Sequence, residues 1–236
     1  MRRPLAAINA LLLAAFLLLA GFFSVYADHG PRSVYGGRLA QLDAAQQGRM
    51  AAIYAYLGHR TEDLSFLTAA ERTHMTDVRR VIDAFTAAFL IIVVVLVIEI
   101  IIIVGTTKNI IRSNTKKTAG RERTEGRRGK KDEARDGYKR FVRNSLLAGG
   151  IAALVIVLLL ACASFFDFGS FWTAFHRVLF PQGDWMFPAD SALITLFPEA
   201  FFEGFAMQVL LAIGAFSLLA IGASRLICRS YKGSRR

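Results

Sequence analysis

The chain has 236 residues, of which 54% are hydrophobic, and its formal net charge is +11 at pH 7. This hydrophobic fraction, with 19 phenylalanines, argues against a soluble globular domain and indicates several membrane spans. Cys162 and Cys228 lie within or at the end of apolar segments, so they are placed neither for a disulfide outside the membrane nor for a metal site.

Four apolar segments are long enough to cross a hydrocarbon layer about 30 Å thick, which takes about 20 helical residues. They cover residues 5–26, 84–104, 145–166 and 204–224. We therefore expect an all-α integral membrane protein in which residues 1–236 form a single membrane domain. The first segment also has the basic start and small-residue end of a signal peptide, but its apolar part exceeds the roughly 7–15 residues usual there. This length favours a retained helix.

Lys and Arg are distributed unequally among the loops. Residues 106–140 contain thirteen of them, whereas residues 167–203 contain only Arg177. Because cytoplasmic loops carry the excess of Lys and Arg, we expect both termini and residues 106–140 to be cytoplasmic. Residues 27–83 and 167–203 then form a small extracytoplasmic helical cap.

The segment 106–140 is rich in charge and poor in apolar residues, so we expect it to be a disordered cytoplasmic loop. Its positive charge suits the anionic lipid headgroups at that membrane surface. We therefore attribute the net charge of +11 to topology and expect no binding of nucleic acid.

All four histidines lie in the two outer segments, at His29, His59, His74 and His176. Around His74, apolar residues recur every three or four positions, which predicts a helix leading into the second span. His74 and Asp77 share a face of that helix, where a carboxylate can fix the tautomer of an imidazole and stabilise its charged form. A surface Asp and His near a helix start is also common without any function.

The second outer segment places His176 in a dense group of aromatic residues. One interpretation is a belt of aromatic side chains at the membrane surface. The density continues beyond what anchoring requires, however, through Trp185, Phe187, Phe197, Phe201 and Phe202. The alternative is an apolar pocket for acyl chains, with His176 as its polar, titratable group.

Two stretches together resemble the motifs of a known family. "ERTHMTDVRRV" precedes the second span, and "FHRVLFPQGDWMFPADSALITLFPEAFF" lies between the third and fourth spans. Both resemble signatures of the lipoprotein intramolecular transacylase (Lit) family of small four-helix bacterial membrane proteins. Leu179-Phe180 stands where that family's pattern has a pair of aromatic residues.

The resemblance implies an acyltransferase of lipoprotein maturation in the bacterial cytoplasmic membrane, with its active site on the extracytoplasmic side. The sn-2 acyl chain of a diacylglyceryl-modified lipoprotein would move to the α-amino group of its N-terminal cysteine, giving the lyso-form. The family's catalytic histidines map onto His74 and His176. Substrate-binding residues map onto Asp77, Phe175, Phe180 and Trp185. Membrane lipids are the only other partners implied, without a metal, an organic cofactor or an obligate protein partner.

Two other functions remain open from the residues alone. A metal-dependent membrane hydrolase would use His59, His74, Asp77 and His176, but no HExxH or similarly spaced ligand set supports it. A non-enzymatic membrane sensor or partner-binding subunit would use the outer cap for recognition, and its histidines would be dispensable.

Overall fold

A computed structural model describes residues 2–26, 32–116, 124–183 and 185–233. Over these ranges the chain forms eight helices and no strand, which confirms the expected all-α class. The helices are α1 (Arg2–Tyr26), α2 (Arg32–Leu39), α3 (Ala44–Leu57), α4 (Ala69–Lys116), α5 (Thr124–Phe166), α6 (Phe168–Leu179), α7 (Ala192–Leu196) and α8 (Glu199–Gly233).

Four of these helices are long and apolar enough to cross a membrane, over Leu5–Tyr26, Ala69–Ile102, Asp136–Phe166 and Glu199–Ile227. They overlap the four predicted spans. The second has 34 residues, about 51 Å of helix at 1.5 Å per residue, which exceeds a hydrocarbon layer of about 30 Å. Residues 69–83 carry every charged residue of this helical segment except Glu99, so they extend beyond the membrane.

The segment 106–140, for which the sequence predicts disorder, is described as helix over most of its length. Helix α4 continues through the apolar span to Lys116, and α5 begins at Thr124; residues 117–123 lie outside the described ranges. The physical reason is that Lys, Arg, Glu and Ala are good helix formers. Here they extend helices that the membrane spans have already nucleated.

The described residues separate into two compact units. The first comprises Met1–Leu18, Leu90–Leu154 and Ala215–Arg236. Its packed centre consists of three alanines and one leucine: Ala14, Leu17, Ala153 and Ala220. A Cβ added to Gly149 would lie 2.8 Å from the Ala10 carbonyl oxygen. Because this is closer than ordinary van der Waals contact, glycine is what lets α5 approach α1 so tightly.

The second unit comprises Leu19–Phe89 and Val155–Gly214 and holds the candidate site. Its apolar core, here called the cap core, consists of Leu42, Met50, Ile53, Tyr56, Leu57, Leu64, Leu67, Met75, Leu193, Leu196, Phe197 and Phe201. These side chains come from both outer segments predicted by sequence. The cap core therefore packs the start of α4 against α7 and the start of α8.

Candidate active site

His176 lies on α6, which begins after Asp167, whose side chain accepts a hydrogen bond from the Ser170 backbone amide at 3.0 Å. The histidine is only 6% exposed, and its Nδ1 lies 2.9 Å from the Trp172 carbonyl oxygen. A carbonyl oxygen only accepts hydrogen bonds, so Nδ1 carries the proton. In the neutral ring, Nε2 is left with a lone pair and is the atom available to take a proton.

His74 lies in the part of α4 that extends beyond the membrane, and its side chain is half-buried. Its ring centroid is 6.1 Å from that of His176, with an angle of 27° between the ring planes. The two histidines are therefore neighbours in space although they are 102 positions apart in the chain. Within the described ranges, no hydrogen bond reaches either ring nitrogen of His74, so both are available to a substrate.

Aromatic rings enclose the two imidazoles. Phe180 packs on both, with its centroid 5.0 Å from that of His74 and 5.6 Å from that of His176. Trp185 lies 4.8 Å from His176, and Phe187 lies 5.6 Å from His74. The site is thus two polar rings within an apolar, water-poor enclosure.

Both histidines are neutral at physiological pH because the enclosure removes water from them. Burial and, to a smaller extent, the nearby His176 together lower the pKa of His74 to about 4, while the negative charge of Asp77 acts in the opposite direction. Burial also lowers the pKa of His176, against a smaller opposing effect of its bond to Trp172. A neutral imidazole has one ring nitrogen that can accept a proton and one that can donate a hydrogen bond, so neither histidine has to release a proton to solvent before it acts.

The sequence around this site matches a known protein family. The model of the lipoprotein intramolecular transacylase Lit family matches residues 44–202, which include both histidines and most of the second unit. The chain belongs to the lipoprotein intramolecular transacylase family. It is accordingly an acyltransferase of lipoprotein maturation and a multi-pass membrane protein.

Solved structures agree with the fold of this transacylase. The membrane-integral lipoprotein intramolecular transacylase Lit from Bacillus cereus aligns with a TM-score of 0.70 at 18% identity, covering 98% of each chain. Two variants of that protein align similarly. One carries a histidine-to-arginine substitution (TM-score 0.67, 18% identity, 99% and 95% of the two chains). The other carries a histidine-to-alanine substitution and aligns with a TM-score of 0.66 at 18% identity, covering 98% of this chain and 96% of that chain. The comparison with curated proteins gave no match.

The structure brings five of the six predicted site residues of the transacylase around one point. Phe180 and Trp185 contact the histidines, and Phe175 lies 5.6 Å from His176 while remaining 41% exposed. Asp77 differs from expectation, since its two carboxylate oxygens accept hydrogen bonds from Gln182 at 2.7 Å and Arg80 at 2.8 Å. It therefore joins α4 to the turn after α6 and influences His74 only through its charge.

Two residues that sequence reasoning left out of the site also contribute to it. The Trp172 carbonyl fixes the tautomer of His176, and the indole ring packs on that imidazole at 4.2 Å. Glu71 is 1% exposed and accepts hydrogen bonds from the backbone amides of Leu193 at 3.0 Å and Thr68 at 2.8 Å. The four-residue pattern Thr68-x-x-Glu71 is a capping-box signature that would have identified the start of α4.

Glu71 remains charged although it is buried. Burial raises the pKa of its carboxyl group, but hydrogen bonds from Leu193 and Thr68 outweigh that effect, so the pKa lies below its usual value. A cavity of about 670 Å³ opens beside it, and its lining includes Thr68, Glu71 and Phe187 but neither histidine. Because Phe187 also packs on His74, the cavity adjoins the aromatic enclosure.

The remaining histidines lie away from this point or outside the described ranges. His59 is exposed and pairs with Asp83 at 2.9 Å; His29 lies in the undescribed segment 27–31. Over the residues described, no group of three or more His, Cys, Asp or Glu side chains is arranged to hold a metal ion.

Proposed function

We propose that His176 carries the proton transfers of an intramolecular acyl migration and that His74 stabilises the negative charge that develops on the ester oxygen. The sn-2 acyl chain of a diacylglyceryl-modified lipoprotein moves to the α-amino group of that lipoprotein's N-terminal cysteine. The observation that carries this proposal is the pair of neutral imidazoles 6.1 Å apart inside an aromatic enclosure. Nucleophile and ester belong to one molecule, so no acyl-enzyme, metal or organic cofactor is needed.

His176 acts as the general base. The α-amino group, with an ordinary pKa of about 7.7–8.0, reacts as the free amine, whose nitrogen attacks the sn-2 ester carbonyl carbon. His176 Nε2 takes the proton released from nitrogen as the new C–N bond forms. The fixed proton on Nδ1 supports this assignment, because it leaves only Nε2 as the acceptor.

His74 acts on the oxygen side of the same reaction. One of its nitrogens carries a proton and donates a hydrogen bond to the ester carbonyl oxygen as negative charge develops there. As the C–O bond to glycerol breaks, the proton held by His176 passes to the departing glycerol oxygen. The product has an amide at the N-terminus and a free hydroxyl group at the sn-2 position.

The enclosure supplies much of the rate. Holding amine and ester together in an attacking geometry contributes roughly 7–11 kcal/mol to lowering the barrier. Phe175, Phe180 and Trp185 hold the acyl chain and limit access of water, which suppresses hydrolysis of the ester.

The catalytic test compares single histidine variants in cells that express a reporter lipoprotein. His74→Ala and His176→Ala should each reduce conversion to the lyso-form by about 10²–10⁴-fold. Their combination should be scarcely worse, because the two groups act as a unit. His59→Ala is the matched control and should convert normally. The readout is mass spectrometry of the reporter's N-terminal peptide, and normal conversion by either site variant contradicts the mechanism.

The active site is proposed to face outward, with both termini in the cytoplasm and membrane lipids as the only other partners. This orientation rests on the positive charge of residues 106–140. Single cysteines at Gln46 and Gly183, in a chain without Cys162 and Cys228, should react with an impermeant thiol reagent in intact cells. A cysteine at Gly126 should not react, and its labelling would reverse the orientation.

A further inference from the structure

Helix α6 has an apolar stripe that is exposed over most of its length. Phe171, Ala174, Phe175 and Val178 follow the spacing that places residues on one side of a helix. Val178 is 78% exposed, Phe175 is 41% exposed and Ala174 is also exposed. With successive residues about 100° apart, the centre of this α6 stripe points about 130° away from the side that carries Trp172 and His176.

A polar side separates the α6 stripe from the rest of the helix surface. Ser170 and Arg177 are both exposed and project about 100° from the centre of the stripe. Arg177 is the single Lys or Arg between residues 167 and 203. The helix therefore has a buried side with the histidine, an apolar exposed side and a polar exposed side, which is the pattern of a helix at a membrane surface.

The α6 stripe continues the lipid-facing surface of a membrane span. Phe165 and Phe166, the last two residues of α5, are 80% and 79% exposed. Only Asp167, whose backbone is extended, separates α5 from α6. Because α5 ends where the span ends, α6 begins at the level of the membrane surface, and its exposed apolar side chains meet the same lipid that covers Phe165 and Phe166.

The geometry points to α6 as an interfacial helix that lies in the leaflet on the active-site side. Its stripe contacts acyl chains, and Arg177 lies among the lipid headgroups. Phe175 belongs to the stripe and also packs on Trp172 and His176, each with a ring-centroid distance of 5.6 Å. The acyl chain of the substrate therefore reaches His176 directly from the bilayer, past Phe175. This route rests on the proposed function, whereas the lipid contact of α6 does not.

Lipid contact is tested with a fluorescent label on single cysteines. Val178→Cys and Ser170→Cys, in a chain whose native cysteines are replaced by alanine, are labelled with bimane and reconstituted in phosphatidylcholine–phosphatidylglycerol vesicles. At Val178, lipids with a spin label on the upper acyl chain should quench the fluorescence strongly, and aqueous iodide should have little effect. At Ser170 the order should be reversed. If iodide quenches both labels equally, the stripe faces water or a soluble partner and the inference is wrong.

The route is tested by placing a charge in the stripe. Val178→Glu should reduce conversion of a membrane-embedded lipoprotein by roughly tenfold or more, because a carboxylate is costly among acyl chains. Ser170→Glu, on the polar side near the start of the same helix, should convert normally. Unchanged conversion by Val178→Glu overturns the route. Inactive histidine variants combined with iodide quenching at Val178 would leave the catalytic proposal standing and remove only this inference.

Discussion

The low pKa of His74 depends on the aromatic enclosure, and removing one wall should raise it. Phe180 is 4% exposed, and its ring centroid lies 5.0 Å from that of His74. Burial is the largest cause of the shift that lowers the pKa of His74 to about 4. Phe180→Ala opens space for water beside the imidazole, so the cost of charging it falls and its pKa moves back toward 6.5.

The size of the effect is large at pH 6. A histidine with a pKa of about 4 is about 1% protonated there, whereas one with the ordinary value near 6.5 is about three-quarters protonated. In the unsubstituted protein His74 should therefore stay neutral throughout the range in which the free amine of the substrate becomes available. In Phe180→Ala a substantial fraction of His74 becomes charged at pH 6.

Nitrogen NMR of ¹⁵N-histidine-labelled protein in lipid nanodiscs, titrated from pH 4 to 8, measures the pKa of His74 and its protonated fraction at pH 6. His74→Gln and His176→Gln assign the signals, and the shifts also report which ring nitrogen carries the proton. His176 should be protonated at Nδ1 when neutral. Phe165→Ala, which removes an aromatic ring that is 80% exposed, is the control and should leave both titrations unchanged. A midpoint near 6.5 for His74 in the unsubstituted protein would refute the role assigned to the enclosure.

Three further outcomes are expected. Asp77→Ala and Gln182→Ala should each lower thermal stability, and the double variant should be no worse than the larger single effect. The hydrogen bond between these two side chains contributes about 0.5–1.5 kcal/mol to the free energy of unfolding. If the losses of the two single variants add fully in the double variant, the two residues do not stabilise the protein through this bond. Gly149→Ala should destabilise the detergent-solubilised protein by about 1–3 kcal/mol, because its Cβ meets a backbone carbonyl. Gly222→Ala, with open space around it, should be neutral by the same thermal assay; equal effects would exclude the close approach. Finally, stability should fall as the pH drops from about 6.5 toward 4. In this window the unfolded chain binds protons that the folded site histidines, with their lowered pKa values, do not. A melting temperature that is the same at pH 7 and pH 4.5 would contradict this.

The helical class and the positions of the spans could be predicted because they depend on local patterns. A run of about 20 apolar residues forms a helix in a bilayer whatever its neighbours are, since the backbone must satisfy its own hydrogen bonds there. The helix around His74 was visible for a similar reason, from apolar residues at intervals of three and four. Over 106–140 two local signals disagree, because the charge content predicts disorder whereas the helix propensity of the same residues favours helix.

The roles of Asp77 and Glu71 were beyond the reach of local patterns. Asp77 shares a helix face with His74, yet its carboxylate binds Gln182, 105 positions away. Glu71 has the spacing of a capping residue, but its carboxylate is tolerated in the core because it also accepts a hydrogen bond from the backbone amide of Leu193, 122 positions along the chain. Packing of the cap core decides which hydrogen-bond partner each of these polar side chains meets. The periodic spacing of residues in a single sequence does not reveal such distant pairings.

The sequence by itself determined that this is a four-span membrane protein with its histidines in the segments 27–83 and 167–203, and its motifs singled out His74 and His176. Only the tertiary structure decided that the two imidazoles are neighbours, that both are neutral, and that Nε2 of His176 is the free nitrogen. The pairing and the burial arise from contacts between segments about 100 residues apart, whereas the tautomer is set by the Trp172 carbonyl, four positions away on α6. Burial changes the pKa of a histidine, and a backbone carbonyl selects its tautomer, only after the chain has folded around it.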